Sequence, residues 1–271
     1  SVKMSFHLSF EDRKQQFADE KVVFKNTVSV FNMVELEKEV SKKTKKIAIF
    51  DDELNAEQVI ELAYRKGIDY VVQNSLQPLS EKVKILSALD KNNQEFFQED
   101  FTFFTHSTGK HKIIFDSNTS RKTILNLSFH RLQIDIEAHR SSHLKCALEE
   151  IIMNAQIDAH NLGANKGHLK STLILEKIDK LVAVSVIDYY GTLTYSKFTG
   201  QIESVLKIGF SNSINHNRTR GAGIGSSIIF NAADSLYLGC LPNQMTRVSA
   251  IIPFGLSETN QEKLQKSIFL L

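Results

Sequence analysis

The chain has only two cysteines, Cys146 and Cys240, in 271 residues. Their separation matches no metal-site spacing, and two are too few for a disulfide scaffold. Cys146 falls within a helical pattern, where a reduced thiol packs as a small hydrophobe, and the usage accords with a reducing cytoplasm. Charge of one sign is equally scarce. A net charge of +2 leaves no broad basic surface for nucleic acid and no acidic tail for a basic partner. No apolar run reaches membrane-spanning length, and no charged-then-apolar leader opens the sequence. Internal repeats and low-complexity segments are absent. So is a P-loop: Thr108-Gly109-Lys110 lacks the preceding glycine and spacer, and reads as a turn between strands at 101–104 and 112–115. What remains, 42% hydrophobic and 24% charged, is the balance of a globular protein. A soluble, cytoplasmic protein is expected, long enough for two ordinary domains or one large one.

The front of the chain alternates short apolar runs with polar helical stretches. Strands are expected at 4–10, 22–31, 47–50 and 70–72, and helices at 11–19, 33–42, 57–66 and 79–89. Val59, Ile60, Leu62 and Ala63 form the inner side of the third helix, and Gly67 caps it. The lysines at 42, 43, 45 and 46 read as a solvated helix end. This alternation predicts a parallel sheet covered on both faces. The stretch from Ala63 through Val72 and on to Leu89 resembles the last helix-strand-helix of response-regulator receiver domains, which implies a flavodoxin-like fold. By that register Asn32 replaces the phosphoacceptor aspartate, and Gln73-Asn74-Ser75 stands where a lysine is expected. Asp51-Asp52-Glu53 follows the wrong strand and reads as an acidic turn before a helix. A receiver-like domain unable to be phosphorylated is expected over 1–95, with a linker at 96–112.

The rear part, 113–271, carries three motifs in order. In a helical pattern over 143–160, Glu150 and Asn154 are four residues apart and so share one face. A carboxamide oxygen suits hydrated magnesium, and a carboxylate can orient or deprotonate a nucleophile; a merely polar helix edge is the plainer alternative. A hairpin of strands at 171–176 and 181–187 ends in Asp188, suited to accept from an adenine amine, with Gly191 letting backbone approach closely. The plainer reading is a strand-ending Asp and a turn Gly. Gly221, Gly223 and Gly225 then precede a helical run at 226–234, so freed backbone amides at a helix start can take an anion.

The order and spacing of these motifs resemble the GHKL ATPase superfamily, which includes histidine kinases, gyrase-type and chaperone ATPases and anti-sigma-factor serine kinases. The similarity covers 114–254. It implies an α/β sandwich with a mixed sheet, binding ATP and Mg2+. It further implies Glu150 as catalytic base, Asn154 as the metal ligand and Asp188 as the adenine contact. Gly191, Gly221, Gly223 and Gly225 would line the nucleotide, with Thr246 on the last strand near the adenine. Arg218 or Arg220 would serve as a lid cation, or be solvated loop residues. Residues 202–210 resemble the short helix and aromatic before a kinase lid. Two features depart from the family. The second motif reads Asp-x-x-Gly-x-Leu, one residue longer and one glycine short. Asp158, a turn after Asn154, adds negative charge.

His130, His139 and His143 are available, but the segment before Glu150 is too short for a dimerising phosphoacceptor hairpin. Phosphotransfer would therefore be in trans, to a separate protein partner, as in the serine kinases the domain resembles. A nucleotide-dependent switch with a lid at 192–220 and a scaffold that has lost nucleotide are the alternatives. Neither nucleic acid nor membrane is expected as a partner; a homodimer stays open.

Overall fold

The computed structural model describes residues 47–50, 53–107, 109–135, 143–163, 166–208 and 224–271. The expectations for 1–46 lie outside the described residues, including the lysine run and Asn32. So do those for Asp51, Asp52, Thr108, His139, Phe210, Arg218, Arg220, Gly221 and Gly223.

The chain is α/β. Eight strands among the described residues form one mixed sheet: β1 (Ile47–Phe50), β2 (Tyr70–Gln73), β3 (Lys110–Phe115), β4 (Ser171–Ile178), β5 (Leu181–Asp188), β6 (Ser235–Leu241), β7 (Met245–Pro253) and β8 (Ser267–Leu270). Their spatial order is β1-β2-β8-β6-β7-β5-β4-β3. Only β1 with β2 and β6 with β8 run parallel; the other neighbours are antiparallel. The parallel arrangement expected of the front strands thus holds for the pair at 47–50 and 70–73. β8 joins that pair to the rest, so the strands on both sides of 96–112 belong to one sheet.

Alternation along the strands divides the core. Val182, Val184 and Val186 of β5, with Val248, Ala250 and Ile252 of β7, face one layer, while Ala183 and Ile251 face the other. The first layer holds α1 (Ala56–Ile60), α3 (Arg121–Leu132), α4 (His143–Met153), α5 (Tyr195–Ile208) and α6 (Ile224–Ala232); the second holds α2 (Leu79–Lys91) and the aromatic segment 96–104. α7 (Glu258–Glu262) leads into β8. α1 is closed by an Asn55–Gln58 capping box and passes into a π-helical turn at Glu61–Arg65. Val59, Ile60, Leu62 and Ala63 are buried as the pattern predicts, and Gly67, at φ +63°, ends the run with Ile68 N donating to Leu62 O.

Residues 101–104 are not a strand. Arg247, fully buried on β7, donates to Phe96 O at 2.6 Å and Gln98 O at 2.8 Å. Its guanidinium lies 4.9 to 5.8 Å from the rings of Phe96, Phe101 and Phe103. The Phe103 N–H donates to the Glu176 carboxylate. The backbone there is spoken for by side chains, so no ladder forms, although the residues alternate like a strand. Burial pulls the Arg247 pKa down to about 10, with Glu176, Asp100 and Glu99 opposing. Four of these elements have no counterpart among the expectations from sequence: α3, β6, α7 and β8. Among the described residues no helix is long and apolar enough to cross a membrane.

Candidate functional site

The helical pattern over 143–160 is α-helical only as far as Met153, where α4 ends; Asn154–Ala159 widens into a π-helical turn, followed by one last turn at His160–Leu162. Such wide turns need external support and recur at functional sites. Here the Gln156 amide, buried, donates to both Asp116 O and Thr119 O at 2.8 Å. The apolar stripe Leu144, Ala147, Leu148, Ile151, Ile152 seats α4 on the sheet.

That leaves the Glu150–Asn154 edge facing a cavity of about 270 Å3 between α4, α5 and α6, floored by β5 and β7. Glu150, Asn154, Asp158, Asp188, Lys197 and Gly225 are among its lining residues. The glycine at 225, in the first turn of α6, lies directly against the helix motif. A Cβ there would collide with Glu150 Oε2 and lie 3.7 Å from Asn154 Oδ1. Two motifs some seventy residues apart in sequence therefore meet at van der Waals distance, because both helices pack on the same face of the sheet.

Glu150 Oε2 is buried without a hydrogen-bond partner. Burial pushes the Glu150 carboxyl pKa up, repulsion from Asp158 and Glu149 adds to this, and Arg121 opposes it. Asp188, at the end of β5, is 7% exposed, and burial raises its pKa as well. One of its oxygens is committed to the chain, since Oδ1 accepts from Tyr190 N at 3.0 Å and Gly191 N at 3.2 Å. Thr246 is its neighbour across the β5–β7 ladder. The Thr246 hydroxyl is close enough to lower the Asp188 pKa, yet makes no well-formed hydrogen bond and stays buried without a partner.

Gly191 is required by the fold itself. It is outside the cavity lining, and its φ of +62° brings it against the β6–β7 turn, where a Cβ would lie 2.5 to 2.8 Å from Gln244 N, Leu241 O and Met245 N. Its close approach is to the protein's own backbone. The added residue of the motif also has a place. Tyr190 is buried; its hydroxyl donates to Gly167 O and accepts from Leu169 N, while the Lys166 ammonium donates to Tyr190 O and Asn243 O. The turn after Asp188 is clamped from both sides.

Asp158 is exposed at the cavity mouth. Partial burial raises its pKa and the charge of Lys197 on α5 lowers it. Sequence reasoning missed Lys197 and Gln201, which accepts from Ser226 Oγ at 2.8 Å. Their signal was the amphipathic pattern of 195–208, which buries Phe198, Thr199, Ile202 and Val205 and so turns Lys197 and Gln201 the other way. The expected lid thus contains a packed helix, α5, in its first half; the second half, with Arg218 and Arg220, lies outside the described residues.

No protein-family model matches the chain, and no curated protein matches it either.

Proposed function

We propose that the chain is an ATP-binding signalling protein of GHKL type. The reading rests above all on the contact between Gly225 and the Glu150–Asn154 edge, opposite Asp188, in one cavity. The donor set fits an adenine nucleotide with Mg2+. The missing Cβ of Gly225 lets the start of α6 approach the Glu150 carboxylate, the buried Glu150 Oε2 is unpartnered, and Asp188 has one oxygen committed internally. Bound Mg2+ would neutralise phosphate charge and polarise the terminal phosphoryl group. Asn154 would hold that ion, Asp188 would accept from the base, and Lys197 would offset the carboxylates. Glu150, its pKa raised, would take a proton from the attacking hydroxyl of a partner protein.

The front segment would be the regulatory, receiver-like part. In place of a receiver's lysine, Gln73 donates to Lys266 O at 2.7 Å and accepts from Leu54 N at 2.7 Å, a structural role. A second reading, a nucleotide-dependent switch without turnover, is favoured by one contact. Tyr64, in the front segment, lies 3.2 Å from the place of a Cβ on Gly200 in α5, and Arg65 pairs with Glu203 on the same helix. Nucleotide that moved α5 would move that contact.

Calorimetry with ATP and Mg2+ tests the binding claim. Heat should be present in the wild type, lost in Asp188→Asn, and lose its Mg2+ dependence in Asn154→Ala. A wild type that gives no heat sinks the proposal. Phosphotransfer lost in Glu150→Ala with binding retained supports the kinase; equal binding and no transfer in either protein supports the switch.

A further inference from the structure

We propose that His160 and His168 form a site for an imidazole-preferring divalent cation of the Zn2+ or Cu2+ class. The site is independent of the nucleotide reading. It arises from how the chain leaves the π-helical turn. After His160–Leu162 the helix stops at Gly163, whose N–H donates to Ala159 O at 2.9 Å, and Lys166 N donates to Gly163 O. Tyr190 then ties down Gly167 and Leu169 through its hydroxyl and meets the His160 ring edge-on, 5.8 Å between centroids. These bonds bring two histidines eight residues apart face to face.

His160 Nε2 lies 3.2 Å from His168 Nδ1, with ring planes only 26° apart. Two nitrogens on one tetrahedral Zn2+, at about 2.0–2.1 Å each, sit about 3.3 Å from each other, so the spacing is already that of two ligands on one ion. Ser117 Oγ lies 3.0 Å from the same His168 Nδ1. A ring nitrogen has one lone pair or one hydrogen, so Nδ1 cannot bond both neighbours fully. A cation shared by the two ring nitrogens removes this conflict and leaves the Ser117 hydroxyl for a metal-bound water. Among the described residues no third His, Cys, Asp or Glu joins the pair. The remaining positions would be water, and metals that favour imidazole would outrank Mg2+. Both histidines retain solvent access, which gives the ion a path in.

The test uses untagged, chelator-stripped full chain without nucleotide, titrated with Zn2+ against a chromophoric chelator. One Zn2+ per chain is expected, undisturbed by millimolar Mg2+. His160→Ala and His168→Ala should each weaken it at least about tenfold, since loss of even an outer-shell partner commonly costs that much. His130→Ala, at an exposed histidine on α3, should leave it unchanged. X-ray absorption of the loaded protein should show two imidazole nitrogens. Absence of Zn2+ uptake by the wild type, or equal uptake by the His160→Ala/His168→Ala double variant with an unchanged melting curve, overturns the site.

Discussion

Two buried polar regions of this molecule are built to opposite rules. Where β2, β8 and α2 meet, the fully buried Lys82 ammonium lies 3.3 Å from Asp234 and donates to Gln73 O at 2.8 Å and to the Ser75 and Ser267 hydroxyls. Asp234 also accepts from Gln77 N and Ser235 Oγ, and only the Gln77 amide nitrogen is left over. In the cavity, by contrast, Glu150 Oε2 is buried without a partner. A buried charge in the interior is tolerated when its bonds are made. One kept unpaired costs stability, and selection retains it where a ligand completes it. The difference separates groups whose bonds are made inside the protein from one left unpartnered at the cavity wall, where the proposed nucleotide would lie.

The largest effect should come from breaking the closed region. Lys82→Met leaves the buried Asp234 without its ion-pair partner, and should cost about 3–5 kcal/mol in denaturant unfolding. Lys82→Met with Asp234→Leu should recover most of it; if the double variant is as unstable as the single, the pair is not coupled as described. Next come the two glycines of the motifs, which the structure sets apart. Gly191→Ala forces a side chain at positive φ into the β6–β7 turn and should cost about 2–3 kcal/mol. Gly225→Ala should leave unfolding closer to wild type and abolish nucleotide heat. Equal losses of stability from both would erase the distinction.

A smaller change, of the opposite sign, is expected at Glu150. Its folded pKa is raised, so the folded state holds the proton more tightly than the unfolded one. The stability it allows is full below the unfolded value near 4.5 and is lost as pH rises through the folded value. Glu150→Gln should therefore be more stable than wild type by about 1 kcal/mol at neutral pH and flatten the decline above pH 4.5. Thermal melts across pH 4 to 8 check the sign. Smallest is Tyr190→Phe, which loses two hydrogen bonds of the clamp on the Asp188 turn and should cost about 1 kcal/mol. If Asp188 is positioned by that clamp, nucleotide affinity falls with it.

Local pattern made α2, α4 and the β4–β5 hairpin legible, because each buries a face and the pattern records which, while β7 was expected from the family resemblance. It misled at 101–104, where alternating aromatics wrap a buried guanidinium, and it was silent on β8, a four-residue strand whose apolar run has no period to read. The Glu150–Asn154 pairing was visible as a spacing of four. The π-helical turn after it was not, since its cause is the Gln156 amide reaching a distant loop.

Local pattern alone determined the α/β class, the helices α1, α2, α4 and α6, most strands, and the spacing of Glu150 and Asn154 on one helix face. Tertiary structure decided that the front and rear strands share one sheet. It decided too that Gly191 serves the fold while Gly225 faces the cavity, and that His160 meets His168. These are contacts between residues far apart in the chain, or across a turn held by such contacts. Their free energy depends on which faces the sheet brings together, which no short window of sequence encodes.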